Sequence, residues 1–339
     1  MSLAPEEFAP TGVFLNSATL GLAPLRSVTA MRHYEDSRFA GTVDAVAVDA
    51  YVESGRASFA TLLGREPRDV AIGSQASQFV GLVAASLPPR SVVLAAEEDF
   101  TSVLFPFLRA DLDVRLVPLD RLLDSISAEV DLVAVSAVQS ADGRLLDLEA
   151  PASLAGEAGA LTLVDVTRAA GWLPLTELRA DYVVGGGYKW LLGPRGTCFF
   201  AVSPSAPALP ELAAGWYAGE SRWDSIYGPP LRLASDARRY DVSPAWGCWV
   251  GHAPALELLL EIGVDRIHAH DLGLANAFRD GLGLPAGDSA IVSVNAPSDV
   301  ASRLAEAGIA AATRAGRLRL SFHLYNSDAD VEAALRALK

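Results

Sequence analysis

The chain has 339 residues and a net charge of −14, from 27 Lys and Arg against 41 Asp and Glu. This charge argues against nucleic acid and anionic membranes as partners, because both attract clustered basic residues. Cys198 and Cys248 are its two cysteines, so neither a disulfide framework nor a four-cysteine zinc site can form. Residues 1–10 lack the apolar core of a signal peptide, and no later run of about 18 apolar residues is long enough to cross a membrane. We therefore expect a soluble, cytoplasmic protein.

Seven short apolar runs alternate with stretches rich in alanine and leucine. The runs lie at residues 70–72, 91–95, 114–117, 131–138, 161–164, 181–184 and 197–202. Apolar runs without polar alternation are typical of buried strands in a sheet that is covered on both faces. Intervening segments such as 77–87 and 152–158 can form crossover helices. The pattern predicts an α/β domain with a mostly parallel sheet over residues 15–235.

The rest of the chain has a mixed pattern of helices and strands. Helices are predicted at 247–262, 297–307 and 328–338, and strands at 290–294 and 317–320. With residues 1–14, residues 236–339 are therefore expected to form a smaller α+β domain.

A lysine and a carboxylate follow two neighbouring predicted strands. Lys189 lies in the glycine-rich stretch 185–196, and Asp165 ends the preceding strand. Because ligands bind at the carboxyl ends of parallel strands, both side chains are expected to face one crevice. Such a pair suits pyridoxal 5′-phosphate, which needs an amine for its Schiff base and an acid to keep its pyridine nitrogen protonated. From its position alone, Lys189 also fits a surface residue of a turn.

The same cofactor needs a site for its phosphate. Residues 72–77, which include Ser74 and Gln75, lie between a predicted strand and an apolar helix. This position directs free backbone N–H groups and the positive end of the helix towards a phosphate. Ordinary helix capping is the alternative interpretation of this turn.

Three sequence blocks resemble the class V aminotransferases, a fold-type I family of pyridoxal-phosphate enzymes that includes cysteine desulfurases, kynureninases and isopenicillin N epimerase-like proteins. The blocks are Val-Asp-Val-Thr-Arg-Ala-Ala-Gly at 164–171, Tyr-Lys-Trp-Leu-Leu-Gly-Pro-Arg-Gly at 188–196 and Arg-Leu-Ser-Phe-His-Leu-Tyr-Asn at 319–326. They occur in the family's order. The resemblance implies a large domain with a mostly parallel sheet, a small α+β domain and pyridoxal 5′-phosphate as cofactor.

The resemblance also implies roles for single residues. Lys189 would be the lysine that forms the Schiff base, and Asp165 the partner of the pyridine nitrogen. Ser74 and Gln75 would hold the phosphate through their amides. Tyr188 resembles the kynureninase tyrosine whose hydroxyl reaches the phosphate.

Two further positions depart from the commonest family pattern. Phe100 falls near the residue that stacks on the cofactor ring, where many members have His; Thr101 is a neighbouring alternative, and Phe100 could instead be a core aromatic. Arg168 stands where the family usually has Gln or His bonded to the cofactor's phenolic oxygen. A guanidinium there would favour the ionised oxygen. The alternative is that Arg168 turns towards a carboxylate elsewhere.

Near the C-terminus, Arg319 matches the family's arginine that binds a substrate α-carboxylate. Arg314 and Arg317 are close competitors for this role in the sequence, but they are expected to be solvated or turn residues. The stretch 239–244 resembles a segment that crosses the dimer interface, with Ser243 as a candidate contact to the partner subunit's phosphate. The resemblance thus implies a homodimer with shared active sites.

Cysteine desulfurases carry a catalytic cysteine before this arginine, but residues 308–319 contain none. Cys198 and Cys248 are expected to be buried small hydrophobes. No metal site is expected, because His268 and His270 would point to different faces of a helix.

The resemblance implies an enzyme that converts an amino acid through an aldimine and a quinonoid. Aminotransferase-type chemistry is the first expectation, because no thiol nucleophile is evident. The alternatives are a β-eliminating C–S lyase, a racemase or epimerase, and a catalytically degenerate protein of the same fold. The presence of both Asp165 and Lys189 argues against degeneration.

Overall fold

The computed structural model describes residues 1–297 and 299–338. Its helices are α1 Leu25–Ala40, α2 Ala45–Leu62, α3 Ala76–Ser86, α4 Thr101–Arg109, α5 Ala150–Ala158, α6 Trp246–Ile262, α7 Val264–Gly281, α8 Val300–Glu306 and α9 Asp328–Leu338. Its strands are β1 Val13–Phe14, β2 Val70–Gly73, β3 Val92–Ala96, β4 Asp113–Val117, β5 Leu132–Ser136, β6 Leu161–Asp165, β7 Tyr182–Gly186, β8 Cys198–Val202, β9 Ile291–Val294, β10 Ile309–Ala310, β11 Ala312–Arg314 and β12 Arg317–Ser321.

One large sheet has the strand order β2, β8, β7, β6, β5, β3, β4. The strands from β7 to β4 are parallel to their neighbours, whereas β8 is antiparallel to both β7 and β2. The helices predicted at 77–87 and 152–158 are confirmed as α3 and α5. The predicted α/β fold with a mostly parallel sheet is therefore confirmed.

Two details differ from the sequence predictions. The sequence predicts a buried β4, but its residues are exposed or half-buried at the sheet edge. The other edge strand, β2, is buried because α2 and residues 237–240 pack on it. The helix predicted over 297–307 is shorter, since α8 begins at Val300. Residue 298 of that prediction lies outside the described residues.

Strand direction brings several chain segments to one edge of the large sheet. β2 is parallel to β7, because both are antiparallel to β8. The carboxyl ends of β2, β3, β5, β6 and β7 therefore point the same way. Ligands of open α/β sheets bind at this edge.

A smaller sheet is formed by β11, β12 and β9, which are antiparallel, and β1 pairs with β10. Apolar residues of this sheet pack with α7 and α9 in a core of their own. The domain limits, 15–235 and 236–339 with 1–14, stay a prediction. In the described part of the chain, no helix has the length and apolar character that crossing a bilayer requires.

Two hydrogen bonds join the segment after β7 to the end of β12. The indole Nε1–H of Trp190 donates to the carbonyl of Phe322 at 3.1 Å, and Nε2 of His323 lies 3.1 Å from the carbonyl of Trp190. Because Nδ1 of His323 accepts from the Leu324 N–H at 2.8 Å, Nε2 carries the ring hydrogen and donates it. The chain beside Lys189 is thus bonded to the strand that carries Arg319.

Candidate active site

A cavity of about 650 Å³ opens at the carboxyl edge of the large sheet. It is lined by all but one of the side chains that the sequence predicts for the cofactor and substrate: Ser74, Gln75, Phe100, Asp165, Arg168, Tyr188, Lys189 and Arg319. Ser243, the exception, is exposed and does not belong to the lining. Residues from the ends of four strands, β2, β3, β6 and β7, and from β12 therefore meet in one place.

Lys189 follows β7 in a tight turn and is only 3% exposed. The turn needs glycine, because a Cβ at Gly187 would overlap the ring of His252 and the hydroxyl of Thr197. Burial, with added repulsion from Arg168, lowers the pKa of the Lys189 amine well below its ordinary value. A lowered pKa favours the neutral amine, which is the nucleophilic form.

Asp165 is the last residue of β6 and is buried. Its Oδ1 accepts a hydrogen bond from the Thr167 N–H at 2.7 Å. The hydroxyl oxygen of Thr167 in turn accepts from the Gly186 N–H at 2.9 Å, at the end of β7. These bonds hold the ends of the two strands together, so the carboxylate and the lysine share one rigid support.

Phe100 lines the cavity, and two cationic groups lie over its aromatic ring. The guanidinium carbon of Arg168 lies 4.9 Å from the ring centroid, and Nζ of Lys189 lies 5.6 Å from it. Phe100 is 39% exposed, which excludes the alternative of a core aromatic. Thr101, the neighbouring alternative, also lines the cavity.

Asp99 holds Phe100 in place and was not predicted as part of the site. Its carboxylate is buried and accepts from the backbone N–H groups of Phe100 and Ser136, both at 2.7 Å, and from the Ser136 hydroxyl. Burial raises the pKa of Asp99, and the nearby charge of Asp165 adds to the shift. The carboxylate therefore orders the loop between β3 and α4 from behind the cavity.

Arg168 is directed into the cavity. Its Nε is buried and lacks a hydrogen-bond partner among the described residues. Burial lowers the pKa of Arg168, although the charge of Asp165 opposes this shift. The guanidinium thus lies over Phe100 beside the strand ends, and it does not pair with a distant carboxylate in the described part of the chain.

Arg319 on β12 is 2% exposed. Its Nη2 donates to the Thr19 hydroxyl at 2.9 Å, and its Nη1 donates to the carbonyl of Ser140. Burial, with repulsion from Arg168 and Arg314, lowers the pKa of Arg319 to about 9. Its Nε is buried and has no partner among the described residues. The group is therefore ready to bind an anion.

The two other arginines of this hairpin, Arg314 and Arg317, differ from each other in where their side chains lie. Arg317 turns away and donates to Ser293, from Nε to the hydroxyl at 3.1 Å and from Nη2 to the carbonyl at 2.9 Å. Arg314 is exposed, as expected of a solvated residue, yet its side chain also lines the cavity. Arg314 and Thr19 are thus site residues that the sequence motifs did not indicate.

Ser74 and Gln75 lie between β2 and α3, and both are exposed to the cavity. Gln75 is the N-cap residue of α3 and its side chain makes no capping bond. The side-chain oxygen of Gln78 accepts a long hydrogen bond from the Ser74 N–H at 3.3 Å, which a phosphate oxygen would replace. The free N–H groups and the positive end of α3 therefore face the cavity, as a phosphate site requires. On the same side, the guanidinium carbon of Arg195 lies 4.6 Å from the ring centroid of Tyr188.

The two cysteines lie apart from these groups. Cys198 is buried in β8, as expected. Cys248 is only half-buried, so the expectation of a buried residue is wrong there: it lies at the first turn of α6, where its thiol donates to the carbonyl of Arg195 at 3.2 Å.

These donors fit pyridoxal 5′-phosphate. A buried amine, a carboxylate, an aromatic face and a free helix end surround one cavity, and the unpartnered Nε of Arg168 supplies a buried donor. This combination defines a fold-type I pyridoxal-phosphate enzyme.

Comparison with known proteins agrees with this class. The family model "Aminotransferase class-V" matches residues 108–334. The chain is 30% identical to the uncharacterized aminotransferase YcbU of Bacillus subtilis, over 89% of this chain and 87% of that protein. It is 26% identical to the isopenicillin N epimerase of Streptomyces clavuligerus, over 77% and 72% of the two chains. A solved complex of the cystine C–S lyase C-DES has the same fold, with a TM-score of 0.85 at 19% identity over 97% of both chains.

The chain belongs to the class V aminotransferase family. It is accordingly a pyridoxal-phosphate-dependent enzyme that acts on an amino acid.

Proposed function

We propose that the protein catalyses transamination between an amino acid and an oxo acid. The observation that carries this proposal is the single cavity that holds the low-pKa amine of Lys189, the carboxylate of Asp165 and the guanidinium of Arg319. An amino-acid substrate offers an amine and a carboxylate, and these three groups complement it together with the cofactor. The cited relative YcbU, an uncharacterized aminotransferase, agrees with this reaction.

Each cofactor contact has a proposed residue. Lys189 attaches the cofactor, Asp165 binds the ring nitrogen and keeps it protonated, and Phe100 packs on the ring. Ser74 and Gln75 bind the phosphate with their N–H groups at the start of α3, and Tyr188 adds its hydroxyl. When bound, pyridoxal phosphate supplies an electron sink for negative charge at the substrate's α-carbon.

Substrate chemistry depends on two side chains. Arg319 binds the α-carboxylate with its planar guanidinium, which holds the α-carbon at a fixed position beside Lys189. With substrate and cofactor bound, Nζ of Lys189 would accept the proton from the substrate's α-carbon and donate it again in the second proton transfer of the reaction. Its lowered pKa keeps Nζ able to accept that proton near neutral pH.

Arg168 is proposed to donate to the cofactor's phenolic oxygen. Since guanidinium stays charged over the working pH range, this oxygen would remain ionised. The position of the Arg168 guanidinium over the Phe100 ring, 4.9 Å from its centroid, supports the assignment.

A cytoplasmic homodimer with shared active sites is also proposed. Ser243 is exposed and would contact the partner subunit's phosphate. Large apolar side chains in the preceding loop, Tyr227 at 87% and Leu231 at 82% exposure, are suited to an interface. Light scattering should give twice the monomer mass, and a fully active monomer would contradict the proposal.

The test of the reaction uses the purified protein with pyridoxal phosphate, a panel of L-amino acids and an oxo acid. Transamination yields a new amino acid from the oxo acid, and chromatography measures it. Asp165→Asn should keep the cofactor and lose at least about a thousandfold in turnover, because an unprotonated ring is a poor electron sink. Release of pyruvate and ammonia would instead identify a β-eliminating lyase. Formation of D-amino acid without an oxo acid would identify a racemase or epimerase.

A further inference from the structure

Arg314 and Arg319 converge on one acceptor at the substrate side of the cavity. Nη2 of Arg319 lies 2.9 Å from the Thr19 hydroxyl, and Nη2 of Arg314 lies 3.5 Å from the same oxygen. The two guanidinium groups are therefore neighbours. Both belong to residues that line the cavity.

Strand register explains how two arginines come so close. Ala312 of β11 stands opposite Arg319 of β12, and Arg314 stands opposite Arg317. The small side chain of Ala312 leaves room beside Arg319, and Arg314 is its diagonal neighbour on the same face of the hairpin. The guanidinium of Arg317 donates its hydrogen bonds to Ser293, so Arg317 does not add to the positive charge at the cavity.

Within the described residues, the two cations have no acidic partner of their own. Among the residues that line the cavity, Asp165 is the one carboxylate in the described part of the chain, and it lies at the end of β6. Arg168 lies over Phe100, and Arg195 lies over Tyr188, both on the side of the proposed cofactor contacts. Arg314 and Arg319 therefore leave two adjacent positive charges for the substrate.

We infer that Arg314 binds a second acidic group of the substrate, so that the enzyme acts on amino acids with an acidic side chain, of the size of aspartate or glutamate. The inference rests on the proposed function, in which Arg319 binds the α-carboxylate. The two carboxylates of aspartate or glutamate are separated by two or three carbons. This short separation suits the guanidinium groups of Arg314 and Arg319, which are close enough to reach the same Thr19 hydroxyl. Each terminal nitrogen of Arg319 keeps a second hydrogen for the ligand beyond its bond to Thr19 or Ser140.

The first experiment compares isosteric substrate pairs on the holoenzyme. Aspartate against asparagine, and glutamate against glutamine, differ in side-chain charge and hardly in shape. The wild type should prefer the acidic member in kcat/KM. Arg314→Gln should lower kcat/KM for the acidic member by about 30-fold or more, as expected for the loss of a charged hydrogen-bonded pair, and leave the amide member within about threefold.

Arg317→Gln is the matched control, because it removes a guanidinium from the same hairpin that faces Ser293 and not the cavity. It should leave both substrate pairs unchanged, and cofactor absorbance should match the wild type in both variants. If Arg314→Gln lowers kcat/KM equally for acidic and amide substrates, Arg314 assists the α-carboxylate and the inference is overturned. A wild type without preference for the acidic member would also overturn it.

A binding experiment separates this inference from the proposed reaction. Succinate and butyrate have no amine, so their affinity for the holoenzyme, measured by titration calorimetry, does not depend on turnover. Succinate should bind more tightly than butyrate to the wild type, and Arg314→Gln should abolish the difference. If no transamination is found but this difference persists, the proposed function fails and the second acidic subsite stands. Equal affinities in the wild type would overturn the subsite itself.

Discussion

Arg56 and Arg319 are both almost fully buried, at 1% and 2% exposure, but their surroundings are opposite. Arg56 on α2 forms an ion pair with Asp241 at 2.7 Å, and Asp241 also accepts from the Ile72 N–H at 2.8 Å. Burial alone would lower the pKa of Arg56, but the charge of Asp241 raises it above its ordinary value. Arg319 has two neutral acceptors and two cationic neighbours, and its pKa falls to about 9.

The difference separates a guanidinium that is compensated within the fold from one that we propose binds a ligand. A buried charge with a carboxylate partner is compensated inside the protein. A buried charge without one is compensated only when an anion arrives, so it supplies binding energy at a cost in stability. The following substitutions test this contrast.

The largest effect on stability is expected from Asp241→Ala. This change removes the buried carboxylate partner of Arg56, which keeps the partly exposed Glu53 at 3.2 Å, and it leaves the Ile72 N–H without its acceptor. It should cost about 3–5 kcal/mol of unfolding free energy in urea denaturation. Asp113→Ala breaks an exposed pair with Arg115 and should cost less than about 0.5 kcal/mol. Equal effects of the two substitutions would remove the distinction between the buried and the exposed pair.

Arg319→Ala should reverse this pattern of effects. It should lower kcat/KM by an amount equivalent to about 3 kcal/mol, because the substrate carboxylate loses its charged partner. The unfolding free energy should change by no more than about 1 kcal/mol, since the lost hydrogen bonds are offset by relief of repulsion from Arg168 and Arg314. Arg319→Lys should restore only part of the activity, and Arg317→Ala should have no effect. A loss of stability as large as that of Asp241→Ala would show that Arg319 is a structural residue.

Lys189 is a third buried cationic group, and its ionisation is expected to have a smaller effect on the unfolding free energy. Its pKa in the folded, cofactor-free protein is lowered from 10.5, so between the two values the unfolded chain binds a proton that the native chain does not. Stability of that form should therefore rise with pH across this window, by up to about 1.4 kcal/mol per pH unit, and fall as the pH drops through the lowered pKa.

Lys189→Met should flatten this pH dependence, measured by urea denaturation at a series of pH values. The chain has one other lysine, Lys339, and Lys339→Met should leave the dependence unchanged. An equal pH dependence in Lys189→Met and the wild type would mean that another group causes it.

The sequence predicts the strands of the large sheet because central strands are apolar throughout, and this property is local. Burial of an edge strand is not local, since it depends on which distant segments cover it: β2 is covered by α2 and residues 237–240, whereas β4 is exposed and the prediction of its burial is wrong. α2 carries a signal that could be recognised: Asp44 caps its first turn by accepting from the N–H groups of Val46 and Ala47. α1 lacks this local signal, because its N-cap residue is Pro24 and the Arg26 N–H of its first turn is bonded instead by the distant Glu7 carboxylate at 3.0 Å.

For the site, the sequence indicates residues that stand at strand ends or within family motifs, such as Asp165 and Lys189. The chain has two lysines, and one of them directly follows a glycine-rich strand end. This position by itself indicates a functional lysine. Thr19 and Arg314 carry no comparable signal, because they join the cavity only through the packing of distant segments. Asp99 could not be predicted from the sequence for another reason: its carboxylate bonds to the backbone N–H of Phe100 and does not line the cavity.

The paired hydrogen bonds between Trp190 and residues 322–323 limit how the enzyme can move. Withdrawal of β12 from the end of β7 would break both bonds in the buried interior, where bulk water does not replace them. Lys189 and Arg319 are therefore expected to keep fixed positions relative to each other. We expect the distance between the Lys189 amine and the Arg319 guanidinium to stay constant while substrate enters and product leaves the open cavity.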